Sequence, residues 1–204
     1  DLRKNLAVVK EQMAQLPDGS VIMMEMKSAW GEFYYHSNLG RYSDSADVDA
    51  ISDLIVELKN RGHYLIAKVP AFQDYYFFAD QGGRTGFGLR RKSGVGLWVD
   101  GQRCYRLNPA SDGTKTFLIQ IATELRTAGF NEVVFSQFQY PTDPDAVVPA
   151  DPVGVLAETA AMLVGTCATD SFAVSFLCET ALLPLPQGRS RLYLNNVAAA
   201  DVNT

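Results

Sequence analysis

Ser136 and Gln139 stand at the end of an apolar run, residues 131–141, that stops at Pro141. In a barrel of parallel strands, the side chains that do chemistry sit where such runs end. A hydroxyl and a carboxamide there can bind a ligand, but neither is a strong acid or base. Carboxylates occur at comparable places. Glu179 directly follows the apolar run 172–178, and a carboxyl against apolar walls has its pKa raised toward neutrality and can donate a proton. Glu25 and Lys27 close the run 20–27, and strand alternation predicts both on one face, as an ion pair holding a site or as a structural pair at the sheet end. Lys68 interrupts the apolar stretch 63–69. Lysine is almost never buried alone, so it is expected to point inward or to the rim, facing Glu25 or another acid. Asp143 and Asp145, in Pro141-Thr142-Asp143-Pro144-Asp145, add carboxylates after a strand, where turn formation is the competing explanation.

Aromatic residues gather in the segments that follow strands: Trp30, Phe33, Tyr34, Tyr35, Phe72, Tyr75, Tyr76, Trp98 and Tyr105. Sugars present flat apolar faces on which such rings stack, so Trp30 and Trp98 are expected to be exposed platforms, while most of the others pack the loops. Gly82, Gly83, Gly86 and Gly88 do not join a strand directly to a helix, so a phosphate-cradling loop is not supported. His36 and His63 lack metal-ligand spacing, and no nucleophile elbow precedes a serine.

The elements that must position these residues follow from periodicity. Apolar residues at helical spacing predict helices over residues 2–16, 48–58, 113–128 and 153–164. The second is expected to be capped by Asp44 or Ser45 and stopped at Arg61-Gly62. Buried strands are predicted at 20–27, 63–69, 133–138 and 172–177, with a fifth at 191–194. Residues 71–111 form a long connection, expected to fold in part, with a helical turn at 74–80 and an extended piece at 96–99. Strands apolar throughout, alternating with amphipathic helices, imply a parallel sheet covered by helices: either an open doubly wound sheet or a barrel.

The chain has 204 residues, 20% charged and 47% hydrophobic, which suits one domain with a core of its own. A net charge of -5 lacks the basic footprint of a nucleic-acid binder, and no apolar run is long enough to span a bilayer. The basic cluster Arg90-Arg91-Lys92 reads as a solvated loop. Cys104, Cys167 and Cys178 have no metal-ligand spacing, and the last two read as core residues. The chain begins at Asp1 without a signal-like segment, as expected of a domain cut from a longer polypeptide.

These blocks resemble, in order, a bacterial family of glycosyl hydrolase domains distantly related to the alpha-amylase-type barrels. The matching stretches are residues 21–27 with 31–34, 54–72 around Arg61-Gly62-His63, 96–98 through Leu107-Asn108-Pro109, and 129–135 through Tyr140-Pro141. The resemblance implies a (β/α) barrel of TIM type, complete or truncated, over residues 1–204. It also implies a carbohydrate-directed cleft, no cofactor, an extracellular or cell-envelope setting, and a neighbouring domain in a longer chain. The family pattern has aspartate where Glu25 stands, keeps the lysine at Lys27, places arginine near Lys68, and has aspartate where Asn108 stands. Its last strand ends Phe-Asp-Tyr-Val-Arg-Phe-Pro, with the aspartate as nucleophile by analogy with amylases. Here that aspartate is Ser136 and the arginine is Gln139, so both members of the pair are replaced. Glycoside hydrolysis typically uses two carboxylates flanking the bond. The resemblance therefore implies a degenerate site that binds sugar through Lys27, Trp30, Lys68, Trp98, Asn108, Ser136 and Gln139. The alternatives are an active glycosidase using Glu179 with Glu25, Asp143 or Asp145, and a non-catalytic scaffold.

Overall fold

The computed structural model describes residues 2–80, 86–178 and 186–194. The elements follow one another as α1 (Leu6–Ala14), β1 (Val21–Glu25), α2 (Val48–Asn60), β2 (Tyr64–Pro70), α3 (Tyr75–Asp80), α4 (Asp112–Ala128), β3 (Glu132–Ser136), α5 (Pro152–Cys167), β4 (Ala173–Cys178) and β5 (Leu192–Leu194). Local chemistry sets most of their ends. Asp47, rather than the expected Asp44 or Ser45, caps α2 by accepting from the Ala50 amide at 2.9 Å. Ser45 is instead engaged with the Ser43 hydroxyl at 3.0 Å in the turn before it. Gly129 ends α4 at φ 105, a left-handed conformation that a side chain resists. Asp151 caps α5, with Pro152 in its first turn. The Arg61 guanidinium, after α2, bonds Asp18 and the carbonyls of Met13 and Leu16, which ties the end of α1 to α2.

The five strands form one parallel sheet in the order β1-β2-β3-β4-β5. Strand order follows chain order without a reversal, so among the described residues the sheet has no switch point of the doubly wound kind. Among the described residues β1 and β5 do not pair, and five strands stand where a closed barrel has eight. Alternation divides each strand between two faces. Ile22, Met24, Leu65, Ala67, Val69, Val133, Phe135, Val174, Phe176 and Cys178 join the main core beneath α2, α4 and α5. The opposite face carries Val21, Met23 and Glu25, then Tyr64, Ile66 and Lys68, then Glu132, Val134 and Ser136, then Ala173, Ser175 and Leu177, with Tyr193 on β5.

The 71–111 connection is folded in its described parts, residues 71–80 and 86–111. Isolated bridges Gln73–Arg106, Gly88–Leu107, Arg90–Leu97 and Val99–Tyr105 brace it, and Leu89, Trp98 and Leu107 anchor it in the core. All three cysteines are buried free thiols, and burial pushes Cys104 and Cys178 up to about 12. Among the described residues no helix is long and apolar enough to cross a membrane.

Candidate functional site

Strand register brings distant residues together at the carboxyl end of the sheet. Glu25 lies beside Lys68 in the β1–β2 register, and Pro70 lies beside Ser136 in the β2–β3 register. Glu25, Ala29, Lys68, Pro70, Ser136, Gln137, Gln139 and Leu177 line one cleft of about 200 Å³. Four of the residues singled out from the sequence therefore share a wall: Glu25, Lys68, Ser136 and Gln139. Among the described residues neither Glu25 nor Lys68 has a hydrogen-bonded or ion-pair partner, so the expected Glu25–Lys68 pair is not made. Glu25 also borders a hollow of about 280 Å³ between α1 and β1.

Lys27 is not part of that wall. It is fully buried, and its Nζ lies 3.0 Å from Asp74, whose carboxylate is also buried. It further donates to the Gln73 carbonyl at 3.1 Å and reaches that of Pro70 at 3.5 Å. The parity argument that paired it with Glu25 fails because β1 ends at Glu25. Beyond it the chain turns into a bridge between Lys27 and Phe33, and the lysine passes under the loops. Asp74 accepts from the Phe77 amide at 2.7 Å, so the pair joins the β1 loop to the start of α3. Burial pushes the Asp74 carboxyl up, with the Lys27 charge acting against it. Gly31, at φ 100, packs so closely on Asp74 that a Cβ there would collide with the carboxylate.

The remaining sites separate. Trp98 is only 6% exposed and belongs to the core, so it is no platform: its backbone pairs with Leu89 and its ring is drawn under the long connection. Trp30 is 39% exposed, next to Ala29 of the cleft. Asn108 forms a turn, its Oδ1 accepting from the Ala110 amide at 3.1 Å, and faces a different pocket with Arg90 and Val147. Asp143 is exposed and accepts from the Asp145 amide at 2.8 Å, while Asp145 lies 3.8 Å from Arg91. Both shape the turn rather than lining the cleft, as the local sequence Pro-Thr-Asp-Pro-Asp favours. Glu179 lies outside the described residues, as do Gly82 and Gly83.

Sequence reasoning missed Gln137. It sits at φ 53, one of two non-glycine residues with positive φ among those described, and it lines the cleft between Ser136 and Gln139. Holding a glutamine there costs about 1 kcal/mol, and such strain gathers at functional sites. It also missed a polar cluster at the opposite end of the same face. Glu132 is fully buried and receives Arg191, the Tyr64 hydroxyl at 3.1 Å and the Tyr193 hydroxyl at 3.1 Å. Arg191 and Tyr193 reach it across β4, where Ala173 and Ser175 leave room. Burial and the Glu132 charge push Tyr193 up.

A one-way parallel sheet with a polar cleft beyond the carboxyl ends of its strands defines a parallel α/β domain. The chain belongs to the family described as "Putative glycosyl hydrolase domain", whose model matches residues 10–151. No curated protein matches it. Similar solved structures include a hypothetical protein from Ruminiclostridium thermocellum (TM-score 0.68, 16% identity, covering 83% of this chain and 89% of that one). An alpha-galactosidase from Thermus thermophilus, in complex with stachyose, aligns with TM-score 0.62 and 16% identity over 93% of this chain and 39% of that one. The glycoside hydrolase domain of PelA from Pseudomonas aeruginosa aligns with TM-score 0.53 and 16% identity, over 85% and 65%. The chain thus spans less than two thirds of these two glycosidase chains, and at such identities the likeness is one of fold.

Proposed function

We propose that this is a carbohydrate-binding domain of glycoside-hydrolase type that holds a sugar in the cleft without hydrolysing it. The cleft lining carries this reading. Among its described residues there is one carboxylate, Glu25, beside an ammonium, a hydroxyl and two carboxamides. That set donates and accepts hydrogen bonds in the pattern sugar hydroxyls require, but two-carboxylate hydrolysis needs a second acid across the bond. Ser136 stands where the family pattern has its nucleophilic aspartate, and serine oxygen cannot form the glycosyl ester. Asp143 is occupied in its turn.

The one-way winding supports a barrel wall of TIM type, complete or truncated, with residues 1–204 as a single domain. The contact of Arg191 and Tyr193 with Glu132 supports a sheet curled toward its open face, since in a flat sheet β3 and β5 would stand about 9.6 Å apart. Glu25 in the cleft favours one rival, an active glycosidase in which Glu179 donates the proton and Glu25 is the second carboxylate.

The test pairs turnover with binding: a panel of chromogenic glycosides and polysaccharides, alongside equilibrium binding of stachyose and maltotetraose. Binding without turnover is expected. Turnover that vanishes in Glu179→Gln or Glu25→Gln establishes the glycosidase instead. Neither binding nor turnover removes both readings.

A further inference from the structure

We infer that the bound carbohydrate is a chain rather than a single sugar, with Trp30 supplying the subsite next to the cleft; this rests on the carbohydrate reading above. The cleft, at about 200 Å³, is smaller than the roughly 300 Å³ at which pockets for drug-sized ligands begin, so it suits one sugar ring. Ala29 forms part of its wall, and the next residue is Trp30.

Trp30 is both exposed and fixed. Its carbonyl accepts from the amides of Tyr75 and Tyr76, each at 3.0 Å, which ties it to the start of α3. Its ring lies 5.2 Å from that of Tyr75, and Tyr75 stacks on Tyr105 at 5.4 Å with planes 16° apart. Gly31 turns the chain immediately after it, against the buried Asp74 carboxylate. A tryptophan kept only for packing is drawn inside, as Trp98 is. The indole is braced by Tyr75, its plane tilted 52° to that ring, and a rigid exposed ring loses little freedom when a ligand settles on it. The neighbouring Tyr76 is not equivalent, because the Arg41 guanidinium covers it at 4.6 Å. Trp30 follows Ala29 of the cleft wall directly in the chain, and on this proposal the next pyranose rests on its exposed ring.

The test compares galactose with stachyose and glucose with maltotetraose, on the wild type, Trp30→Ala, Trp30→Tyr and Lys68→Ala. In one series at least, the tetrasaccharide is expected to bind about tenfold more tightly than its monosaccharide, the factor that roughly 1.4 kcal/mol of stacking supplies. Trp30→Ala abolishes that gain and leaves monosaccharide affinity within about twofold. Trp30→Tyr keeps most of the gain, and Lys68→Ala weakens both ligands. Equal affinity for the two lengths, or equal weakening of both by Trp30→Ala, overturns the subsite while leaving the carbohydrate reading intact. No binding of any of the four sugars overturns both.

Discussion

The face of the sheet opposite the main core has two polar ends, and they are built differently. At the amino end Glu132 is sealed from water and takes hydrogen bonds from an arginine and two tyrosines. At the carboxyl end Glu25 and Lys68 stand side by side in register, lining a cleft, with no partner among the described residues. A satisfied buried network holds strands in place, and its cost of assembly is met inside the protein. A few polar groups that converge on an opening are the usual means by which a pocket orients a ligand. On the proposed reading, the difference between the ends assigns structure to one and ligand binding to the other, although both hold a carboxylate and a cation.

That contrast can be broken at either end. Glu132→Ala is expected to destabilise the fold by about 1 to 3 kcal/mol, because it takes the acceptor from two tyrosine hydroxyls while the half-exposed Arg191 turns to water, whereas Glu25→Ala should change stability by less than about 0.5 kcal/mol. Urea unfolding of both variants checks this, and similar losses would erase the distinction. The two tryptophans give a second contrast. Trp98→Ala should cost about 3 kcal/mol by leaving a core cavity, and Trp30→Ala under about 1 kcal/mol. Lys68→Met should leave unfolding within about 0.5 kcal/mol and weaken sugar binding about tenfold, as measured by calorimetry. The smallest signal is chemical. Thiols raised to about 12 by burial remain protonated at pH 8, so Cys104 and Cys178 should resist a thiol-disulfide reagent until the protein unfolds.

Much of this architecture was legible in the chain. The apolar periodicity of α2, α4 and α5, the glycine after α4 and the apolar runs of β1 to β4 mark the elements, and even α3 and the short β5 fall where expected. Apolar runs place Glu25, Ser136 and Gln139 at strand ends and Lys68 within its strand, facing inward or to the rim, and the strand register brings all four to one cleft. Other features depended on distances that no local pattern encodes. Alternation assigns a face only while the strand lasts, so Lys27, two residues past β1, could not be traced to Asp74. Trp98 and Asn108 lie in a long connection whose path is set by bridges between segments far apart in the chain. Glu132 carries no local signal of its role, because its partners come from β2 and from the segment around β5.

The most direct measurement is amide chemical-shift mapping by NMR during titration with stachyose and maltotetraose. A sugar site at the carboxyl end predicts shifts concentrated at Glu25, Ala29, Lys68, Ser136, Gln137 and Gln139, with Glu132 and Tyr193 silent. Shifts at the Glu132 end, or at neither end, would contradict it.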